Sequence, residues 1–169
     1  MHKTLWTEKV FSTNTPNGWL SNVLERLRGT YPRLVAITQG IDEKRLTNKP
    51  NGQWSVKEHI GHLADLEDLH DGRLDDYLAK KEALRPADMS NAATNTASHN
   101  KSLLTDLLIT FKERREKLIQ RLLELPEDVL NHKAMHSRLH VEMRAIDIAV
   151  FTAEHDNHHL AIISNLLRD

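Results

Sequence analysis

Residues 153–161 read Ala153-Glu154-His155-Asp156-Asn157-His158-His159-Leu160-Ala161, and the neighbouring stretches 145–153 and 160–167 are mostly apolar. The apolar positions repeat with a helical period. One stripe holds Ile146, Val150, Ala153 and Leu160, and the opposite stripe holds Ile148, Phe151, Ile162 and Leu166. A helix that is apolar on two sides is packed on two sides, which makes it a central element of a bundle. His155 and His159 lie on the second stripe. Their spacing of four residues puts both imidazoles on one face, one turn apart. Such a pair can grip a metal ion from one side. His158 projects about 100° away from His159 and is the weaker candidate.

Outward from this helix the pattern stays helical, with no convincing strand alternation. A first helix is predicted over about 16–38, with Leu20, Val23, Leu24, Leu27, Leu34 and Ile37 on its apolar face and Tyr31-Pro32 as a place for a kink. Residues 39–53 read as a connection containing Gly40, Pro50 and Gly52. Ser55-Val56-Lys57-Glu58 is a capping-box signal. It opens a second helix, expected to run to about residue 84, with Trp54 just ahead of the cap. Residues 86–98 are polar and read as a long connection. A third helix is expected over about 100–125, ending at Pro126, and its charged run 112–117 reads as a solvated face. Residues 126–141 read as loop, and the last helix spans about 143–168. The expectation is all-α: a four-helix bundle, antiparallel or crossover, in a single domain of residues 1–169 with an irregular arm at 1–15.

Composition narrows the function. The chain has 169 residues, 23 basic against 24 acidic, and no cysteine. Near-neutral charge leaves no electrostatic footprint for nucleic acid or for a membrane surface. Thiolate ligands, disulfides and a cysteine nucleophile are excluded. The first residues lack the apolar core of a signal peptide, and no apolar run approaches the roughly 20 residues of a membrane span. The expected setting is soluble and cytoplasmic. Eleven histidines, spread over the whole chain, are the compositional oddity.

A catalytic divalent site commonly takes three protein ligands and leaves one position open. With His155 and His159 on one helix, the third comes from another, and the second helix offers His59, His62 and His70. His59 falls within the stripe of Val56, Ile60, Leu63 and Leu74, and His62 near its edge. Periodicity does not choose between them. His132, His136 and His140 also recur every four residues, but in a stretch read as loop, where that spacing carries little weight.

Two segments resemble a known family. Trp54-Ser55-Val56-Lys57-Glu58-His59-Ile60-Gly61-His62-Leu63 is similar to the Trp-Ser-x-x-Glu-x-x-x-His-Leu segment of the DinB/YfiT-like superfamily, and 153–161 to its C-terminal His-x-x-x-His helix. Residues 24–30 and 72–76 resemble connecting pieces of one branch. The likeness covers roughly 16–168. It implies a four-helix bundle of the DinB/YfiT type holding a divalent metal on His62, His155 and His159, with His59 a neighbour and His158 off axis. Related chains often read His-Pro-x-x-Gly before the last helix. Here Met135-His136-Ser137-Arg138-Leu139-His140 keeps the His and lacks the Pro and Gly, and His136 is a candidate pocket residue.

Imidazole ligands suit several ions, with Zn or Ni expected first and Fe or Mn as alternatives. The resemblance implies a metal-dependent enzyme on a small-molecule substrate, transferase-like, with a low-molecular-weight thiol supplied from outside the protein. Alternatives are a metal-dependent hydrolase, or a non-catalytic, stress-associated metal-binding or dimeric bundle. Glu58, Asp65, Glu154 and Asp156 are the carboxylates close in sequence that could act as a base or orient an imidazole, each against a reading as a solvated helix charge. Trp6, Phe11 and Trp19 belong either to a homodimer surface or to packing of the arm.

Overall fold

A computed structural model describes residues 5–168. Four long helical rods make the bundle: α1 (Leu20–Arg28) continued by α2 (Thr30–Thr38), then α4 (Val56–Leu78), α6 (Leu104–Leu123) and α8 (Ala145–Leu166). Short helices α3 (Glu43–Thr47), α5 (Ala92–Thr96) and α7 (Glu127–Leu130) sit in the connections. A small antiparallel hairpin, β1 (Ala134–His136) with β2 (Val141–Met143), precedes α8.

Two apolar cores fill the bundle. One gathers Val23, Leu27, Leu74, Leu118, Leu122 and Ile146, and the other Leu34, Ile60, Leu63, Leu107, Phe111 and Ile163. Each rod passes from one core to the other, and the order of passage gives its direction. The first rod and α8 run one way, and α4 and α6 run the other. The parallel α4–α6 pairing is written in its ion pairs: Asp68 with Arg114, Asp71 with Lys117, and Asp75 with Arg121. Partners on both helices advance together, so the connection 79–103 travels back along the bundle. Of the two arrangements that long connections allow, this is the crossover one.

Between the cores lies a polar layer built from the middle of each rod. Arg115 bonds both oxygens of Glu67 at 3.1 Å and the carboxylate of Asp156, while Thr30 Oγ1 donates to Asp156 Oδ2 at 2.7 Å. Arg115 Nη1 also reaches Leu27 O at 3.3 Å, near the end of α1. Burial works against the Arg115 charge, but Asp156 and Glu67 outweigh it and hold its pKa above the ordinary value.

Several sequence expectations are corrected. The first helix is two, broken at Gly29. Pro32 sits in the first turn of α2, where a missing N–H removes no helical hydrogen bond. The second helix stops at Leu78, well short of 84. Lys80 takes φ +49°, and Asp76 captures the backbone N–H of Arg85 at 2.9 Å, which turns the chain away. Leu84 is buried all the same, so its apolar character extends the helical pattern too far. The run 112–117 is not a solvated face throughout, because Arg115 is buried at its centre. The stretch 126–141 holds α7, β1 and the hairpin turn, and β2 begins at its end; the strands are too short for alternation to register in the sequence.

The hairpin turn also shows what replaces the glycine of the related pattern. Its position is His140, which itself takes φ +53° and whose N–H bonds His136 O at 2.9 Å. Residues 1–4 of the expected arm lie outside the described residues. The rest of it makes one turn at Trp6–Glu8 and is tied down where Thr15 N–H donates to the buried Asp147 at 2.9 Å. Trp6 and Phe11 pack on Phe151 with ring centroids 5.0 and 4.8 Å away, so they serve arm packing, while Trp19 is exposed. No described helix is long and apolar enough to cross a membrane.

Candidate metal centre

The capping box of α4 forms as its sequence dictates. Ser55 accepts from Glu58 N–H at 3.1 Å, and Glu58 accepts from Ser55 N–H at 2.8 Å. This fixes where the helix begins and hence which way His59 and His62 face. Because α4 and α8 are antiparallel, His59 meets His159 and His62 meets both members of the α8 pair. The His62 ring centroid lies 5.4 Å from that of His155 and 4.8 Å from that of His159. One ring nitrogen from each of the three lies within 4.8 Å of the others. Three nitrogens bound tetrahedrally to one ion stand roughly 3.4 Å apart, so modest ring movements close the set.

All three imidazoles are buried, and burial is the main reason their pKa values fall. His62 drops to about 4, and His155 and His159 fall well below the ordinary value. They are neutral at pH 7 and keep a lone pair for a ligand role. The proton on His62 can be placed. Thr94 Oγ1 donates its single hydrogen to Asp65 Oδ2 at 2.8 Å, so toward His62 Nδ1, 3.1 Å away, it accepts. The Nδ1 proton leaves the other ring nitrogen, Nε2, as the free electron-pair donor. His99 Nε2 meets the same Asp65 oxygen at 2.8 Å. On α8 the Nε2 atoms of His155 and His159 face each other at 3.1 Å, and His59 Nδ1 meets His159 Nδ1 at 2.9 Å. His155 Nδ1 is buried with no hydrogen-bond partner among the described residues. With a proton there, and with His159 donating from Nδ1 to His59 Nδ1, the two Nε2 lone pairs would face each other, an arrangement that a shared cation would relieve. The donor set therefore suits a borderline divalent ion.

His62, His155 and His159 line a cavity of about 590 Å³ that also contacts Trp6, Trp54 and Phe151. Trp54 stands over His62 at 4.7 Å, and Trp6 meets His155 edge-on at 4.9 Å. The first comes from the residue before the α4 cap and the second from the arm, so both walls are positioned by tertiary packing.

The sequence candidates separate in space. His62, His155 and His159 come together. His59 stands behind His159, and His158 packs edge-on against it at 5.5 Å between centroids. His70 lines the cavity farther along α4, with Thr152 at 3.4 Å. Of the other spaced trio, His132 bonds Lys81 O at 2.9 Å, His140 is exposed in the turn, and only His136 is a buried pocket residue.

The four candidate carboxylates all have partners. Glu58 caps α4 and pairs with Lys49, Glu154 pairs with Arg26, Asp156 belongs to the Arg115 layer, and Asp65 stands behind His62 through Thr94. Thr94 and His99 carry no sequence signal of their own, because they lie in the connection 79–103. Gly61 was the available signal. A Cβ there would collide with the His99 ring, so a glycine in mid-helix beside His62 marks a close approach.

With fold and site in view, comparison with known proteins assigns the class. The DinB superfamily pattern matches residues 26–163, and the chain belongs to that superfamily. Among solved structures it is similar to YfiT from Bacillus subtilis, described as a probable metal-dependent hydrolase with an unusual four-helix bundle topology. That match has a TM-score of 0.80 and 18% identity over 95% of this chain and 92% of the other. No functionally curated protein matches.

Proposed function

We propose that the protein is a metal-dependent enzyme acting on a small molecule, with His62, His155 and His159 holding a divalent ion and a low-molecular-weight thiol as cosubstrate. Zn or Ni is the ion expected first, ahead of Fe or Mn. The observation that carries this reading is the convergence of three buried, neutral imidazoles on one cavity. Held there, such an ion would supply Lewis acidity, which makes a nucleophile available near neutral pH.

The chain's own residues would do the rest. Asp65 and Thr94 hold the His62 tautomer, Trp54 and Trp6 keep bulk water from the imidazoles, and the cavity orients the second reactant. The choice of thiol over water rests on the carboxylates. Each of the four close in sequence already has a partner, so none is free as a general base. A thiol, with a pKa of about 8.5, needs far less help to lose its proton than water does. In the transfer, the thiol gives its proton to water, its sulfur forms a bond to an electrophilic carbon of the substrate, and the leaving group departs with its electron pair. Hydrolysis is the second reading, favoured by the description of YfiT.

Elemental analysis of untagged protein beside its His62→Ala and His155→Ala variants tests the site. One divalent ion per chain is expected, lost in both variants. The metal-loaded protein should then conjugate glutathione or cysteine to monochlorobimane, and should do so faster than it cleaves 4-nitrophenyl acetate. The reverse preference selects hydrolysis, and metal bound without either turnover selects a non-catalytic bundle.

A further inference from the structure

The cavity has a second chemical feature, away from the three imidazoles. Arg73 of α4 is 2% exposed and lines it, together with Arg138 and His136 from the hairpin. Among the described residues neither guanidinium forms an ion pair. Arg73 donates from Nε to Arg85 O at 3.3 Å, and Arg138 lies over the Phe151 ring at 5.8 Å. Arg138 Nη2 is buried without a hydrogen-bond partner among the described residues. Asp76 attracts Arg73, but its oxygens already accept from Lys81 and Arg85. Asp88, at the cavity edge, accepts from the N–H groups of Ser90 and Ala92.

His136 adds a donor. Its Nδ1 accepts from the backbone N–H groups of Arg138 and Leu139, both at 3.3 Å, which puts the ring proton on Nε2. That Nε2 is buried and has no partner among the described residues. The three groups feel one another: burial lowers His136 to about 4, helped by the charges of Arg73 and Arg138, and burial lowers Arg73 to about 10, with a smaller push from Arg138. Both arginines stay charged at neutral pH. Buried cationic and N–H donors are costly unless an acceptor meets them.

We infer that Arg73, Arg138 and the Nε2–H of His136 form an oxyanion subsite that receives the carboxylate or phosphate of a small substrate. Its apolar body then lies against Leu66, Leu69 and Phe151, with its reacting end toward His62, His155 and His159. The substrate class is therefore an organic acid or phosphoester with an apolar body. This deepens the proposed function and rests on that reading for the reaction, though not for the binding.

The test is calorimetric titration of metal-loaded and chelator-stripped protein with 3-phenylpropionate, phenylphosphonate and the neutral 3-phenylpropionamide. At least one anion should bind about tenfold tighter than the amide in both forms, and whichever is preferred identifies the oxyanion. Arg138→Met, at a half-buried position, and His136→Phe, which keeps the ring volume, should each remove most of that preference without changing metal content. An amide bound as tightly as both anions, no binding of any probe, or a preference that survives both substitutions overturns the subsite. Stripped protein that prefers the anion while no preparation holds metal keeps the subsite and overturns the metal reading. A metal-replete protein with no preference in stripped form does the opposite.

Discussion

Among single residues, the site depends on a proton that must stay where it is. His62 can offer Nε2 only while Nδ1 keeps its hydrogen, and Thr94, oriented by Asp65, keeps it there. Replacing Thr94 by Val preserves shape and removes the acceptor. Metal affinity should fall by about 10–100-fold, as is usual when the group behind a ligating histidine is lost. Competition with a chromophoric chelator measures it, and an unchanged affinity would show that the tautomer is held by something else. Sequence spacing located His155 and His159 as a pair, and the family resemblance chose His62 over His59. Nothing local pointed to Thr94, which reaches the site only because the connection after α4 folds back across it.

Among the helices, the polar layer decides how the rods meet. Arg115 on α6, Glu67 on α4 and Asp156 on α8 are all buried, and Thr30 completes the layer at the start of α2. Such a layer fixes register, because sliding any rod by one turn strands a charge in an apolar core. Arg115→Met leaves two buried carboxylates facing each other, and the protein should lose about 3–5 kcal/mol of stability. Urea unfolding at pH 7 checks this, and a loss below about 1 kcal/mol would show that the layer relaxes into solvent. The same layer explains why the charged run of α6 is misleading in the sequence. One-dimensional charge density marks a surface on average, but it cannot show that Arg115 alone among its neighbours points fully inward.

Across the molecule as a whole, buried histidines couple folding to pH. His62 is lowered to about 4, and His70, His155 and His159 are lowered well below the ordinary value, chiefly by burial. As pH falls below about 6.5, the unfolded chain takes up protons that the folded, metal-free protein does not. Stability is therefore full above about pH 6.5 and is lost as pH falls toward 4, by up to about 1.4 kcal/mol per pH unit for each histidine. Urea midpoints of stripped protein at about pH 7.5, 6.5 and 5.5 should drop mainly across the last interval, and a flat profile would contradict it. Metal-loaded protein should hold its midpoint to lower pH, since protons must then displace the ion. Read alone, the chain specifies the helical class, the start of α4, the two-sided burial of α8 and the pairing of His155 with His159. Each of these is a matter of period or capping within one helix, where a few neighbouring residues suffice. The parallel course of α4 and α6, the role of Asp65 and Thr94, and the gathering of Arg73, Arg138 and His136 around one cavity are set in three dimensions. Those residues lie far apart in the chain, and what joins them is packing, which leaves no period to read.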